Sequence, residues 1–80
     1  MELSTAWLFK KLREMGCDLN SYQYGENNIE LFGNYPKDKI ISIKKFFHDN
    51  YPCIRTVEPR KMGIKIYFLC KITLMYGGLN

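Results

Sequence analysis

Ile29-Glu30-Leu31-Phe32 returns 35 positions later as Ile64-Lys65-Ile66-Tyr67. In each segment the aliphatic residues sit two apart, the period of a β-strand. The same gapless offset matches Leu8 with Ile43, Lys10 with Lys45, Leu12 with Phe47, Leu19 with Ile54, Ser21 with Thr56 and Gln23 with Glu58. The match is one of pattern more than of identity. A repeat at fixed period constrains architecture before any single residue is interpreted. Residues 1–33 and 36–68 each read as a helix followed by two strands. The expected fold class is α+β: a duplicated αββ unit (αββαββ) forming a four-stranded antiparallel sheet with two helices packed on one face. The expected organisation is a single domain over residues 1–80, with 77–80 a short tail.

Local signals place the elements. Ser4 suits the cap of a first helix, whose apolar stripe is Leu8, Leu12 and Met15 with Thr5 and Phe9 beside it. Gly16 ends that helix. A hairpin follows, with strands over 19–24 and 29–32, a turn at 25–28, and Gly33 as the stop. Pro36 opens the second helix and Asp38 lies near its positive end. Ile40, Ile43 and Phe47 form the second stripe, Tyr51 continues it, Ile41 falls outside it, and Pro52 blocks further helix. A third strand spans 53–58 and a turn spans 59–63. The last alternation is long: Ile64, Ile66, Phe68, Cys70, Ile72, Leu74 and Tyr76 on one face, before Gly77-Gly78. Thirteen residues extend ~43 Å at ~3.3 Å per residue, whereas a domain of this size is roughly 30 Å across. Ile72, Leu74 and Tyr76 are therefore candidates for an edge that pairs with another copy or a partner's sheet.

Composition narrows the function. The apolar fraction is 46% with six Tyr and five Phe, enough for a folded core. The formal net charge is +4, and the excess is local. Residues 1–52 balance seven Lys/Arg with seven Asp/Glu, whereas residues 53–80 set Arg55, Arg60, Lys61, Lys65 and Lys71 against Glu58 alone. Such a patch attracts phosphate or an acidic protein surface, or simply protects a strand edge. Cys17, Cys53 and Cys70 are odd in number and widely spaced, which reads as reduced thiols in an intracellular protein and argues against a zinc site. No signal peptide and no membrane span are read, so the expected location is cytoplasmic and soluble, without membrane partners. Nine Lys against three Arg, with frequent Ile, Asn and Tyr, fits an AT-rich genome such as that of a phage or low-GC bacterium.

If Leu19, Ile29, Leu31, Ile54, Ile64 and Ile66 point inward, alternation sends their neighbours outward. Those neighbours are Asn20, Tyr22, Tyr24, Glu30, Phe32, Arg55, Val57, Lys65, Tyr67, Leu69 and Lys71. The expected binding face has Tyr22, Tyr24, Phe32 and Tyr67 as anchors, with Arg55, Arg60, Lys61, Lys65 and Lys71 for steering and rim contacts. Two functions suit it. The first is a small non-catalytic protein of the phage or mobile-element accessory type, an inhibitor that docks on another protein. The alternative is a single-stranded RNA or DNA binder that stacks bases on the same rings. The exchange of Glu26 for Lys61 and of Glu30 for Lys65 between the units offers contacts between copies, or cross-strand pairs within one sheet.

Catalytic chemistry is not expected. His48 is the sole histidine, and its neighbour Asp49 projects from a helix in another direction. The carboxylates are dispersed, no glycine-rich phosphate loop is present, and Cys17 lies where a helix end disfavours a thiolate. No metal and no cofactor is expected. Trp7, at the margin of the first helix's stripe, is read as packing against a strand; an exposed Trp7 would instead be an interface anchor.

Overall fold

A computed structural model describes residues 4–69. The elements run α1 (Thr5–Glu14), β1 (Asp18–Tyr24), β2 (Asn28–Asn34), a 3-10 turn (Lys37–Lys39), α2 (Ile40–Asn50), β3 (Ile54–Arg60) and β4 (Gly63–Phe68). The strands form one antiparallel sheet in the order β1-β2-β4-β3. The α+β class and the four-stranded antiparallel sheet are thus as expected. Strand four's continuation, with Cys70, Lys71, Ile72, Leu74 and Tyr76, lies outside the described residues.

The caps of α1 follow from its end residues. The Trp7 amide donates to Ser4 Oγ at 3.0 Å, which satisfies one of the free first-turn amides. At the other end, Cys17 N–H donates to the Leu12 carbonyl at 2.9 Å and Gly16 N–H to that of Arg13 at 3.0 Å. These two bonds define a Schellman motif, and Gly16 supplies its positive φ of 95°. The second helix begins less sharply. Pro36 precedes the 3-10 turn, and α2 starts only at Ile40 without a side-chain cap.

The core joins both helices to the sheet. Leu8 and Leu12 of α1, Ile43 and Phe47 of α2, and Leu19, Ile29, Leu31, Ile54, Ile64 and Ile66 of the strands share one buried cluster with Cys17, Val57 and Phe68. All six aliphatic strand residues expected to face inward do so. Each fully buried Leu, Ile or Phe contributes roughly 1.5–3 kcal/mol relative to exposure. Trp7 packs edge-on against Tyr51 at 4.7 Å and Phe47 at 6.4 Å between ring centroids, linking the two helices. Ile41 is exposed, as its position off the stripe implies.

Several boundaries differ from expectation. Gly33 lies within β2, opposite Leu19, and does not end the strand. β3 continues through Pro59 to Arg60, so the β3–β4 turn is only Lys61-Met62. Proline is tolerated there because β3 is an edge strand. Gly63 opens β4 at φ 154°, and a Cβ on it would sit 2.0 Å from the Leu31 carbonyl oxygen. Only glycine permits β2 and β4 to meet that closely.

Two bulges have the largest consequence. The pairing shifts register between Leu19 and Ser21 in β1 and between Ile54 and Thr56 in β3. An extra residue in one strand reverses the facing of everything beyond it. Asn20 and Ser21 are both exposed, as are Arg55 and Thr56. Val57 therefore turns inward and is buried, contrary to the strict alternation that sends it outward.

Candidate binding surfaces

Directly opposed residues in an antiparallel pair share a face of the sheet, so the registers map the expected anchors. Tyr22 pairs with Leu31 and Tyr24 with Ile29. Both partners are completely buried, so both tyrosines lie on the core face. Their contacts agree. The Tyr22 ring lies 6.0 Å from Phe9 of α1 and 5.1 Å from Tyr24, and the Tyr24 hydroxyl hydrogen-bonds with that of Thr5, which is fully buried. The expected outward orientation of Tyr22 and Tyr24 is corrected: the bulge at Asn20 turns them toward α1.

Phe32 and Tyr67 do occupy the opposite face. Three cross-strand rows define it. Ser21, Phe32, Gly63 and Arg60 form one; Gln23, Glu30, Lys65 and Glu58 the next; Asn28, Tyr67 and Thr56 the third. Lys65 is flanked in register by two carboxylates, and its Nζ lies 5.2 Å from the Tyr67 ring centroid. Arg60 donates to Tyr67 Oη at 3.5 Å and forms an ion pair with Glu58 at 3.1 Å. The carbonyl of Arg60 accepts from Tyr35 at 2.8 Å, which ties the segment after β2 to this end of β3. Glu30 thus meets Lys65 within one sheet. The rows carry two carboxylates and two cations, so this surface is mixed in sign.

The remaining expected site residues are dispersed. Lys61 is exposed at the β3–β4 turn beside the exposed Met62. Arg55 sits on the bulge of β3 and faces a different neighbourhood, a cleft of about 370 Å³ between α2 and β3. Lys44, Lys45, His48 and Asp49 of α2 form one wall, with Arg55 and Thr56 opposite and Ile54 and Val57 as its apolar part. A second cleft, of about 520 Å³, lies between α1 and β1 and includes Phe9, Arg13, Asp18, Leu19, Asn20 and Tyr22.

Electrostatics at the α2–β3 cleft centre on Asp49. Lys45 Nζ lies 2.9 Å from one carboxylate oxygen and His48 Nδ1 3.4 Å from the other. The hydrogen bond from Lys45, then that from His48, holds the Asp49 carboxyl below its usual range. Among the described residues, the side chains of Lys44 and Arg55 have no ion-pair or hydrogen-bond partner. Buried Cys17 has its thiol pushed up by desolvation. No group of three His, Cys, Asp or Glu suited to a metal occurs among the described residues, and no helix there is long and apolar enough to cross a membrane.

The wall formed by Lys44, Lys45 and His48 was not singled out by the sequence, because these residues read only as the solvated side of a helix. No protein-family model, curated protein or solved structure matches this chain.

Proposed function

We propose that this protein is a non-catalytic binding domain that acts by protein–protein contact through the outer face of its sheet, blocking the surface it covers. The supporting observation is the arrangement of Phe32 and Tyr67 around the row Glu30–Lys65–Glu58. Two rings amid charges of both signs suit a protein surface with its own mixed charge. A strand of nucleic acid would meet two carboxylates where it needs uncompensated cations. Arg60 and Lys65 fix orientation, and Lys61 and Met62 extend the contact at the turn. An accessory or inhibitory role fits this mode, which requires no chemistry from the protein.

We further read the chain as two αββ units with both helices on one face. The two bulges stand 35 positions apart, at Leu19/Ser21 and Ile54/Thr56, and residues of both helices enter one core cluster; both facts support the duplication. The free Cys17 and Cys53 suit a reducing, cytoplasmic setting.

Affinity capture with the wild type and a Phe32→Ala/Tyr67→Ala variant tests the function. Loss of the same prey by on the order of tenfold or more is expected, with Lys10→Ala as the unaffected control. Equal capture by all three proteins removes the outer face from consideration. Binding of a labelled single strand at low salt, falling steeply as salt rises, would replace protein contact with the nucleic-acid alternative.

A further inference from the structure

We propose that the cleft between α2 and β3 receives an acidic peptide segment of the partner protein, seated by one aliphatic side chain. This rests on the protein-contact function above and adds a second point of attachment. Lys44 and His48 are one helical turn apart and share a side of α2. The bulge supplies the other wall. By inserting one residue it sets Arg55 and Thr56 together on the exposed side of β3 and directs Arg55 to the cleft, a known use of bulges beside binding sites. The cations thus converge from two separate elements.

The charge is also uncompensated. Asp49 is the single carboxylate of the cleft and is already engaged by Lys45 and His48. Lys44 and Arg55 remain without partners among the described residues, so an incoming anion has two free cations on opposing walls. Between them lie Ile54 and Val57, 5% and 3% exposed. The cleft is at the small end of the ~300–1,000 Å³ typical of ligand cavities. It suits one side chain with its flanking residues.

This chemistry favours a peptide over nucleic acid. Among the described residues no Phe, Tyr or Trp lines the cleft, and its one ring, the His48 imidazole, is held by Asp49, so the platform of successive rings that retains single-stranded bases is missing. An aliphatic floor beneath cations matches Leu, Ile or Val flanked by Asp or Glu. Recognition is by side chains, because the bulge and Pro59 interrupt the outer ladder of β3 and hinder addition of a further strand. The α1–β1 cleft lacks the property: Phe9 and Asn20 stand where the α2–β3 cleft has Lys44 and Arg55, and Asp18 accompanies Arg13.

The test is a ¹⁵N-labelled titration at low ionic strength with the capped peptide Glu-Glu-Leu-Glu-Glu. Companion titrations use a version with Ser for Leu, one with Lys for every Glu, and an oligothymidine. The acidic Leu peptide is expected to shift the amides of Lys44 to Asp49 and Arg55 to Val57 in a saturable way. The Ser version binds at least about threefold more weakly, in line with loss of an apolar contact. Lys44→Glu and Arg55→Glu, each checked for folding by circular dichroism, each weaken binding by about tenfold or more, whereas Lys10→Glu does not. No saturable shift, equal binding of the Ser version, or stronger binding of the oligothymidine at the same amides overturns the proposal. Peptide failure alongside Phe32- and Tyr67-dependent capture removes only the cleft, whereas loss of outer-face dependence with the peptide response intact removes only the outer face.

Discussion

Replacing Gly63 with alanine tests how closely the two central strands are held. The added Cβ would lie 2.0 Å from the Leu31 carbonyl oxygen and 3.0 Å from both Leu31 C and Phe32 Cα. These are backbone atoms of β2, so no side chain can rotate away. The φ of 154° adds a cost of ~1–3 kcal/mol for any residue with a Cβ. Relieving the contact requires β2 to move from β4 where Phe32 faces Gly63, which loosens ladder bonds worth ~0.5–1.5 kcal/mol each. Together these give roughly 3–5 kcal/mol, against a total stability of roughly 4–12 kcal/mol for a domain this size. At ~4–8 °C per kcal/mol, Tm falls by more than about 12 °C. Gly25→Ala is the control. Its Cβ meets only the end of the Asn28 side chain, which can swing aside, so a change below about 1 kcal/mol is expected. Urea and thermal unfolding followed by circular dichroism measure both. A Gly63→Ala protein within about 1 kcal/mol of wild type would show that the β2–β4 approach is not as close as described.

Three further outcomes follow from the same geometry. Tyr24→Phe deprives the buried Thr5 hydroxyl of its partner and should cost ~1–3 kcal/mol in urea unfolding; a loss under about 0.5 kcal/mol would place Tyr24 back in solvent. The Asp49 carboxyl, lowered chiefly by Lys45, is expected to titrate below the ordinary aspartate range, and Lys45→Ala should move its NMR midpoint upward. Because its folded value lies below the unfolded one, its stabilising effect is complete above the normal aspartate range and disappears as pH falls through the folded value; an unchanged midpoint in the variant contradicts the assignment. In a Cys70→Ser background, half-buried Cys53 should react with an aromatic disulfide well before Cys17, whose burial raises its thiol pKa; faster labelling of Cys17 would refute its place in the core.

The helix stripes and the inward aliphatic set were readable from the chain because burial imposes period on residues such as Leu8, Leu12, Ile43 and Phe47. The candidate face was readable only in part. Phe32, Lys65 and Tyr67 belong to β2 and β4, central strands whose mutual pairing runs without a slip, so alternation places them correctly. Tyr22, Tyr24 and Val57 belong to edge strands beyond a bulge, where alternation inverts. The trace of that inversion is present: Leu19-Asn20-Ser21-Tyr22 and Ile54-Arg55-Thr56-Val57 each put two polar residues between core positions, which simple period two forbids. The cleft had no such trace. Lys44 and Arg55 come together only through the packing of α2 beside β3, a tertiary relation that neither helical nor strand spacing encodes.

Strand β4 follows the other three in the chain yet lies second from one side of the sheet. Synthesis from the N-terminus therefore delivers Ile29 and Leu31 before Ile64 and Ile66, their partners across the centre of the sheet. A product stopped short of Gly63 would thus present an open sheet edge, a ready target for chaperones or proteases.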